Sequence, residues 1–361
     1  MTSSTLQKFR QQFDQQLPFV LYRKPSAKEV IGLLQRDQTL HTVMNFAEKG
    51  FVFAPFDGAD IVIIPQDQCD VKMMPFELQQ QSINEIPKPE SSNALAKEKH
   101  IQLVEKAISK INQGDCSKIV ISRKEILPLV DFDLFDGFQK LAQFYPSAFA
   151  YCFFHPKVGL WLGAFSESLL YVKEFNFRTM AVAGTQLYDE NAIAVWGDKE
   201  IEEQKLVTDF LVSNLEDLSA ELHVSKPYDL KAGQLIHLKS DIHGTFETAT
   251  DLRKLLSVLH PTPAVCGFPK EVAKSFILMN EGYDRSYYSG FLGEFNIDFQ
   301  SNENATDLFV NLRCVQIETD ETSNKRTAHI YVGGGITAES NPEREWIETV
   351  NKATTIKKVL L

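Results

Sequence analysis

"AFAYCFFHPKVGLWLGAFSESLLYVKEFNFRTMAVAGT", residues 148–185, places the apolar runs AFAYCFFH, GLWLGAF, SLLYVKEF and TMAVAGT one after another. The runs are rich in aromatic and β-branched residues, and the breaks between them are only PKV, SE and NFR. Each run has strand length, and the breaks are far too short for the crossover helix that parallel strands need. They read as an antiparallel meander, not as βαβ units.

Working outward, the chain alternates further. Upstream, a helix is expected from about Asn93 to Gln113, then a strand at SKIVISRKEIL and a helix at FDLFDGFQKLAQFY. Downstream, a long helix is expected from about Lys199 to Leu222, with a strand at QLIHLKSDIHGTF and helices at DLRKLLSVLH and PKEVAKSFILMNEG. SGFLGEFNID, DLFVNLRCVQIE and TAHIYVGGGI read as strands before a closing helix to Leu361. The first 75 or so residues alternate weak helices and strands, with FVFAPF and ADIVIIP the strand candidates. The Gln-, Pro- and Ser-rich ELQQQSINEIPKPESSNALAKEKH reads as an exposed connection. The expectation is an α+β protein with large antiparallel sheets flanked by helices.

Composition narrows the function. With 361 residues and 43% hydrophobic content, the chain can bury a large core. A formal charge of -11 and no basic run argue against nucleic acid as a partner. No apolar run reaches the roughly 20 residues that cross a bilayer, and the N-terminus lacks a signal-peptide core. Cys69, Cys116, Cys152, Cys266 and Cys314 are scattered and form no CxxC, so they read as reduced cytoplasmic thiols. There is no GxSxG and no P-loop, and His260, beside Pro-Thr-Pro, reads as a structural histidine.

Charges inside apolar patterns carry the chemistry. In YVGGGITAESNPEREWIETVNK, residues 331–352, Asn341 and Pro342 signal a helix start. Glu345, Glu348 and Lys352 then fall on one line of that helix, continued by Ile356 and Val359, so the line faces protein. Glu200 and Glu203 likewise lie on the arc of Val207, Phe210, Leu211 and Leu218. Unpaired buried carboxylates cost several kcal/mol, so a cation should meet them. Two acid pairs on two helices offer oxygen ligands alone, which suit Mg²⁺ rather than zinc. The same acids also read as solvated first-turn residues favoured by the helix dipole. Gly333, Gly334 and Gly335 bare the backbone to a ligand or mark a bulge. Gly184 and Thr185 sit at an expected strand end, Lys118 at the mouth of a strand, and Glu167 between strands. Arg313 is expected in mid-strand, where it needs an anion. Lys118, Glu167 and Arg313 equally read as surface charges on the sequence alone.

Taken in order, SKIVISRKE, GAFSESLL, AVAGTQ, DKEIEEQKLVTDF, HLKSDIHG, LHPTPAVCGFPK, EGYDRSYYSGFLGEFN, VNLRCVQI and YVGGGITAESNPEREWIETVNKA resemble the chorismate-utilising enzymes over about residues 95–361. The resemblance is strongest to the isochorismate-forming branch. It implies a fold of two lobes built on large antiparallel sheets, with residues 1–92 a divergent part of that fold and 93–361 the chorismate-binding catalytic region. It implies Mg²⁺ on Glu203 and Glu348, with Glu200 and Glu345 holding bound water or joining as ligands. Gly184, Thr185, Ala264, Arg313, Gly333, Gly335 and Lys352 would contact substrate. The implied reaction adds water at C2 of chorismate and expels the C4 hydroxyl, with Lys118 as general base and Glu167 as general acid. Glu167 must then keep its proton near neutrality, which apolar neighbours such as Trp161 and Phe165 would favour.

Within that family, ammonia-adding relatives usually carry glutamine in place of Lys118, and the aminodeoxychorismate type a nucleophilic lysine in place of Ala183. The resemblance therefore implies water as nucleophile and no amidotransferase subunit, in menaquinone or catecholate siderophore synthesis; a monomer is expected because no exposed apolar helix or heptad stands out in the sequence. A salicylate synthase, which goes on to eliminate pyruvate, shares the same motifs, and an inactive Mg²⁺-binding homologue is the reading outside catalysis. The chain departs from the family in Gln204, where histidine is common, and in SESLL, where SPERL is common.

Overall fold

Two antiparallel sheets lie face to face in the computed structural model, which describes residues 3–58, 60–78, 93–188, 194–232, 235–247, 251–320, 322–323 and 325–361. Among those residues the first sheet has nine strands. Its order runs from the edge Gly267–Phe268 through Lys118–Leu129, Arg326–Ile336, Cys314–Thr319, Gly159–Phe165 and Phe149–His155 to Phe19–Arg23, Glu29–Gln35 and Cys69–Pro75. The second, of ten strands, includes Leu235–Phe246, Asn176–Leu187, Ser168–Lys173, Ala305–Val310, Phe291–Phe295 and Gly50–Ala54 as consecutive neighbours. Strands from before residue 79 enter both sheets, so no boundary near residue 92 divides two bodies.

Strand periodicity explains why AFAYCFFH is apolar throughout. Phe149, Tyr151 and Phe153 point into the core between the sheets. Ala150, Cys152 and Phe154 point the other way, onto a core covered by helices. A strand buried on both faces loses the polar half of its alternation. The inter-sheet core is aromatic: Phe149 stacks on Phe309 at 4.5 Å and Phe53 on Tyr287 at 4.3 Å. Burying each such ring contributes on the order of 1.5–3 kcal/mol. Helices Ser3–Asp14, Leu134–Phe144 and Pro342–Leu360 cover the outer face of the first sheet. Asp198–Leu215 and Leu252–Leu259 cover that of the second.

Several expectations change. The long helix stops at Leu215, and after a 3₁₀ turn the chain becomes the strand Ser219–Val224. That strand and Tyr228–Ala232 pair with Leu235–Phe246, and their exposed, charged residues hide them from an apolar search. TAHIYVGGGI is a strand as expected, within Arg326–Ile336, and its Gly333, Gly334 and Gly335 pair with Ser122, Ile121 and Val120. Gly184 and Thr185 lie at a bulge inside Asn176–Leu187 rather than at its end. Apart from Ser3–Asp14 and a 3₁₀ turn, the elements before residue 79 are strands. The central part of the expected connection, residues 79–92, lies outside the described residues.

DLFVNLRCVQIE is the most consequential correction. It forms two strands, Ala305–Val310 in the second sheet and Cys314–Thr319 in the first, and Arg313 sits in the step between them. Glu167 occupies the corresponding step between Gly159–Phe165 and Ser168–Lys173. The two steps bond to each other, Val310 N to Glu167 O at 3.0 Å and Ala164 N to Arg313 O at 3.3 Å. Chains that switch sheets make corners, and both charged residues stand at this corner because a strand interior cannot present them there.

Candidate active site

Arg313 pays for its place in backbone strain: its φ is 45°, a region a branched or long side chain rarely adopts. Its guanidinium is enclosed, and burial lowers its pKa. It forms no salt bridge among the described residues and reaches only Thr355 Oγ1 at 3.4 Å. A desolvated guanidinium without an acid is a receptor for a planar anion.

Glu167 opens on the same cavity. Burial pushes its carboxyl up to about 7, against the opposing pull of Lys118, Arg313 and Lys352. Phe165 lines the cavity beside it, whereas Trp161 is turned into the inter-sheet core against Tyr331. Linkage gives a test. Raised from 4.5 to about 7, the group contributes stability that is present below pH 4.5 and lost as pH rises through 7. Glu167→Gln should therefore raise the thermal midpoint relative to the native chain at pH 8 and leave it unchanged at pH 4. Equal midpoints at both pH values would show that Glu167 is not held protonated by its surroundings.

The acids come from two helix starts aimed at this corner. Asn341 caps the closing helix by accepting from Arg344 N, and Glu200 caps the other helix by accepting from Gly197 N at 3.1 Å. Glu203 and Glu345 are buried, and Glu348 lines the cavity. Lysines meet them. Lys118 lies 3.4 Å from Glu203, and Lys352 lies 2.5 Å from Glu348 while donating to Gly333 O at 2.9 Å. Lys199 lies 2.6 Å from Glu345 and 3.7 Å from Glu203. Burial pushes Glu345 up despite Lys199. Burial also presses on Glu348, but Lys352 and Lys199 overcome it and hold that carboxyl below its ordinary value.

The glycines give this cluster its closeness. A methyl group on Gly335 would come within 2.7 Å of Lys118 Cε and 3.1 Å of Glu203 Oε2. One on Gly334 would stand 3.4 Å from Glu345 Oε2 and 3.6 Å from Glu348 Oε1. Ser122 N and Val120 N, opposite Gly333 and Gly335, bond away from the glycine strand. The N–H groups of Gly333 and Gly335 therefore face the side that Cys314–Thr319, paired only as far as Ile330, leaves open. Naked backbone donors, Arg313 and Lys352 thus face one space.

That space is a cavity of about 630 Å³. Lys118, Glu167, Gly184, Thr185, Glu200, Glu203, Ala264, Arg313, Gly333, Gly335, Glu348 and Lys352 all line it, and Glu345 stands just behind. Sequence reasoning missed His237 and Lys199. Burial and Arg313 lower His237 to about 3, so its ring is neutral, with Nδ1 at 2.9 Å from Gly184 O and 3.1 Å from Thr185 Oγ1. It orients the bulge, and HLKSDIHG offered only an unpatterned histidine. His260 is half-buried against Phe291 and Pro55 O and does not line the cavity. Gln204 donates to Thr208 and Ser240, tying the acid-bearing helix to the second sheet.

Among the described residues, no three His, Cys, Asp or Glu side chains already converge as a metal cage, because lysines stand between the acids. The donor set nevertheless fits a hard divalent cation. It is carboxylate throughout, and the buried Glu345 Oε2 has no partner.

Residues 64–361 match the family model described as "Chorismate binding enzyme". The isochorismate synthase EntC of Escherichia coli K12 is 30% identical over 210 residues, 56% of this chain and 51% of that protein. The salicylate biosynthesis isochorismate synthase of Pseudomonas aeruginosa is 28% identical over 273 residues, 71% of this chain and 53% of that protein. The chain spans about half the length of these curated relatives. The structure of MenF, the menaquinone-specific isochorismate synthase of E. coli, superposes with TM-score 0.75 at 21% identity, covering 95% of this chain and 89% of that one. Anthranilate synthase component I of Streptococcus pneumoniae gives 0.65 at 20% identity, covering 94% and 92%.

Proposed function

Because the chain belongs to the chorismate-binding enzyme family, we propose that it is an isochorismate synthase, adding water at C2 of chorismate with loss of the C4 hydroxyl. The observation that carries this reading is the pairing of a carboxyl held near pKa 7, Glu167, with a buried lysine, Lys118, on one cavity that also holds an unpaired guanidinium. Water addition needs a group that takes a proton from water, and hydroxyl loss needs one that gives a proton. Lys118 takes the first role and Glu167 the second. Arg313 and the N–H groups of Gly333 and Gly335 receive carboxylate oxygens of the substrate, and Lys352 neutralises charge beside them. Gly184, Thr185 and Ala264 shape the wall against the ring.

Glu203 and Glu348 would be the principal holders of Mg²⁺, with Glu345 and Glu200 as further ligands or partners of its water. Bound there, the ion would set positive charge against a substrate carboxylate and orient it. The protein's own part is to hold those acids close together, which Lys352, Lys118 and Lys199 do by pairing with them.

Lys118 and Ala183 favour water as the nucleophile, with no covalent intermediate and no amidotransferase partner. Incubation with chorismate and Mg²⁺ should yield isochorismate as the main product by chromatography. Salicylate with pyruvate near neutral pH would move the assignment to a lyase. Anthranilate formed from ammonium salts would end the water reading, and absence of any turnover would leave an inactive Mg²⁺-binding homologue.

A further inference from the structure

Three ammonium groups face three carboxylates in the acid cluster, and two of them have work to do elsewhere. Lys118 is the proposed base, and Lys352 donates to Gly333 O on the glycine strand. Lys199 has neither use, and its position is costly by local rules. It stands in the first turn of the helix Asp198–Leu215, where the helix dipole disfavours a cation. Its side chain is 23% exposed, and its long stem turns inward, away from water. The ammonium lies between two helices, 2.6 Å from Glu345 Oε1 and 3.7 Å from Glu203 Oε1. Glu345 is 3% exposed, and its second oxygen, Oε2, faces Gly334 without a partner. The lysine thus satisfies half of a carboxylate that has capacity for a second cationic contact.

We propose that Lys199 is a tethered counter-cation that holds Glu203 and Glu345 together and that a divalent ion must displace from them. The inference rests on the reading that these acids take a divalent ion. It makes Lys199 a positioning residue with two effects of opposite sign. Without metal, the ammonium relieves repulsion between buried carboxylates brought together by separate helices. With metal, it competes, because a cation close to both acids repels an incoming one. A flexible ammonium is suited to this, since its charge leaves by rotation of the stem and no backbone need move. The cluster is then nearly neutral at rest and binds an ion weakly until Lys199 swings out.

The test is Mn²⁺ binding to the full chain without substrate, followed by electron paramagnetic resonance of free Mn²⁺, with thermal midpoints in EDTA alongside. Lys199→Met should bind Mn²⁺ about tenfold or more tighter, the loss of one charge-assisted hydrogen bond that the ion otherwise has to break. The same variant should melt below the native chain in EDTA and gain more than the native chain on adding Mn²⁺. Lys199→Arg, which keeps the charge, should bind no tighter than the native chain. Should Lys199→Met not fold, Lys199→Gln carries the same expectation, since it keeps a donor to Glu345 without the charge. Mn²⁺ binding that is measurable in the native chain, lost in Glu348→Gln and unchanged or weaker in Lys199→Met overturns the Lys199 proposal alone. No Mn²⁺ binding by the native chain or by Lys199→Met overturns the carboxylate metal site with it.

Discussion

Lys118→Ala lowers kcat by about 10²- to 10⁴-fold while KM for chorismate moves little, the signature of a group that acts in the transition state. The lysine is placed for this by its strand. Lys118 is the first residue of Lys118–Leu129, 2% exposed, and its stem passes so closely over Gly335 that a Cβ there would stand 2.7 Å from its Cε and push it aside. Its anchor on Glu203 at 3.4 Å is longer than a strong charged hydrogen bond, which leaves the amino group free to turn to a second partner. The rival account is that Lys118 only neutralises a substrate carboxylate. Lys118→Arg separates the two. A guanidinium keeps the charge and does not give up its proton, so as a mere counter-ion it would largely preserve kcat. Steady-state kinetics should show Lys118→Arg as impaired as Lys118→Ala. Wild-type kcat in Lys118→Arg, or a Lys118→Ala defect confined to KM, removes the residue from the base role. Because isochorismate formation is close to reversible in chemical type, the same variants should be slow in both directions.

Loss of Mg²⁺-dependent turnover, by at least about 10²-fold, is the expected result for Glu348→Gln and for Glu203→Gln. The substitution keeps shape and removes one unit of charge from a site whose proposed cation is held by charge. The fold should survive, because Ile356, Val359 and Leu360 anchor the closing helix in the core, and Asn341 still caps its start. Lys352 also keeps its bond to Gly333 O in Glu348→Gln. Circular dichroism and the thermal midpoint should therefore stay close to native while activity falls. Either variant turning over at the native rate in low Mg²⁺ would exclude that residue as a principal ligand. Activity of the native chain that resists EDTA would count against the whole carboxylate site.

Much of this was legible because it is local. The helix period alone aligns Glu345, Glu348 and Lys352 with Ile356 and Val359, and the structure buries Glu345, Ile356 and Val359 on that line. Asn341 and Pro342 announce the helix start because capping is settled within a turn. The expected helix runs on to Leu222 because LEDLSAEL is made mostly of good helix formers. There, pairing with Leu235–Phe246 decided against propensity. Arg313 was misplaced for a similar reason. VNLRCVQI alternates like one strand, and nothing in it marks that Val310 and Cys314 belong to different sheets.

The candidate residues, and the helix lines on which the acids lie, were readable in the sequence, because spacing along a helix or strand is a property of a few neighbouring residues. The sequence by itself determined the antiparallel class as well, through runs too short and too close for anything else. Only the tertiary structure decided which charge meets which. Lys199 and Glu345 are 146 positions apart, and no local pattern brings their helices to the same corner. Only the packing of two sheets put Glu167 and Arg313 on adjacent steps, and only enclosure there lifts one carboxyl to about 7 while Lys352 holds another, Glu348, low. A charge takes its energy from everything within several ångströms, and in a fold of this size most of those neighbours come from distant parts of the chain.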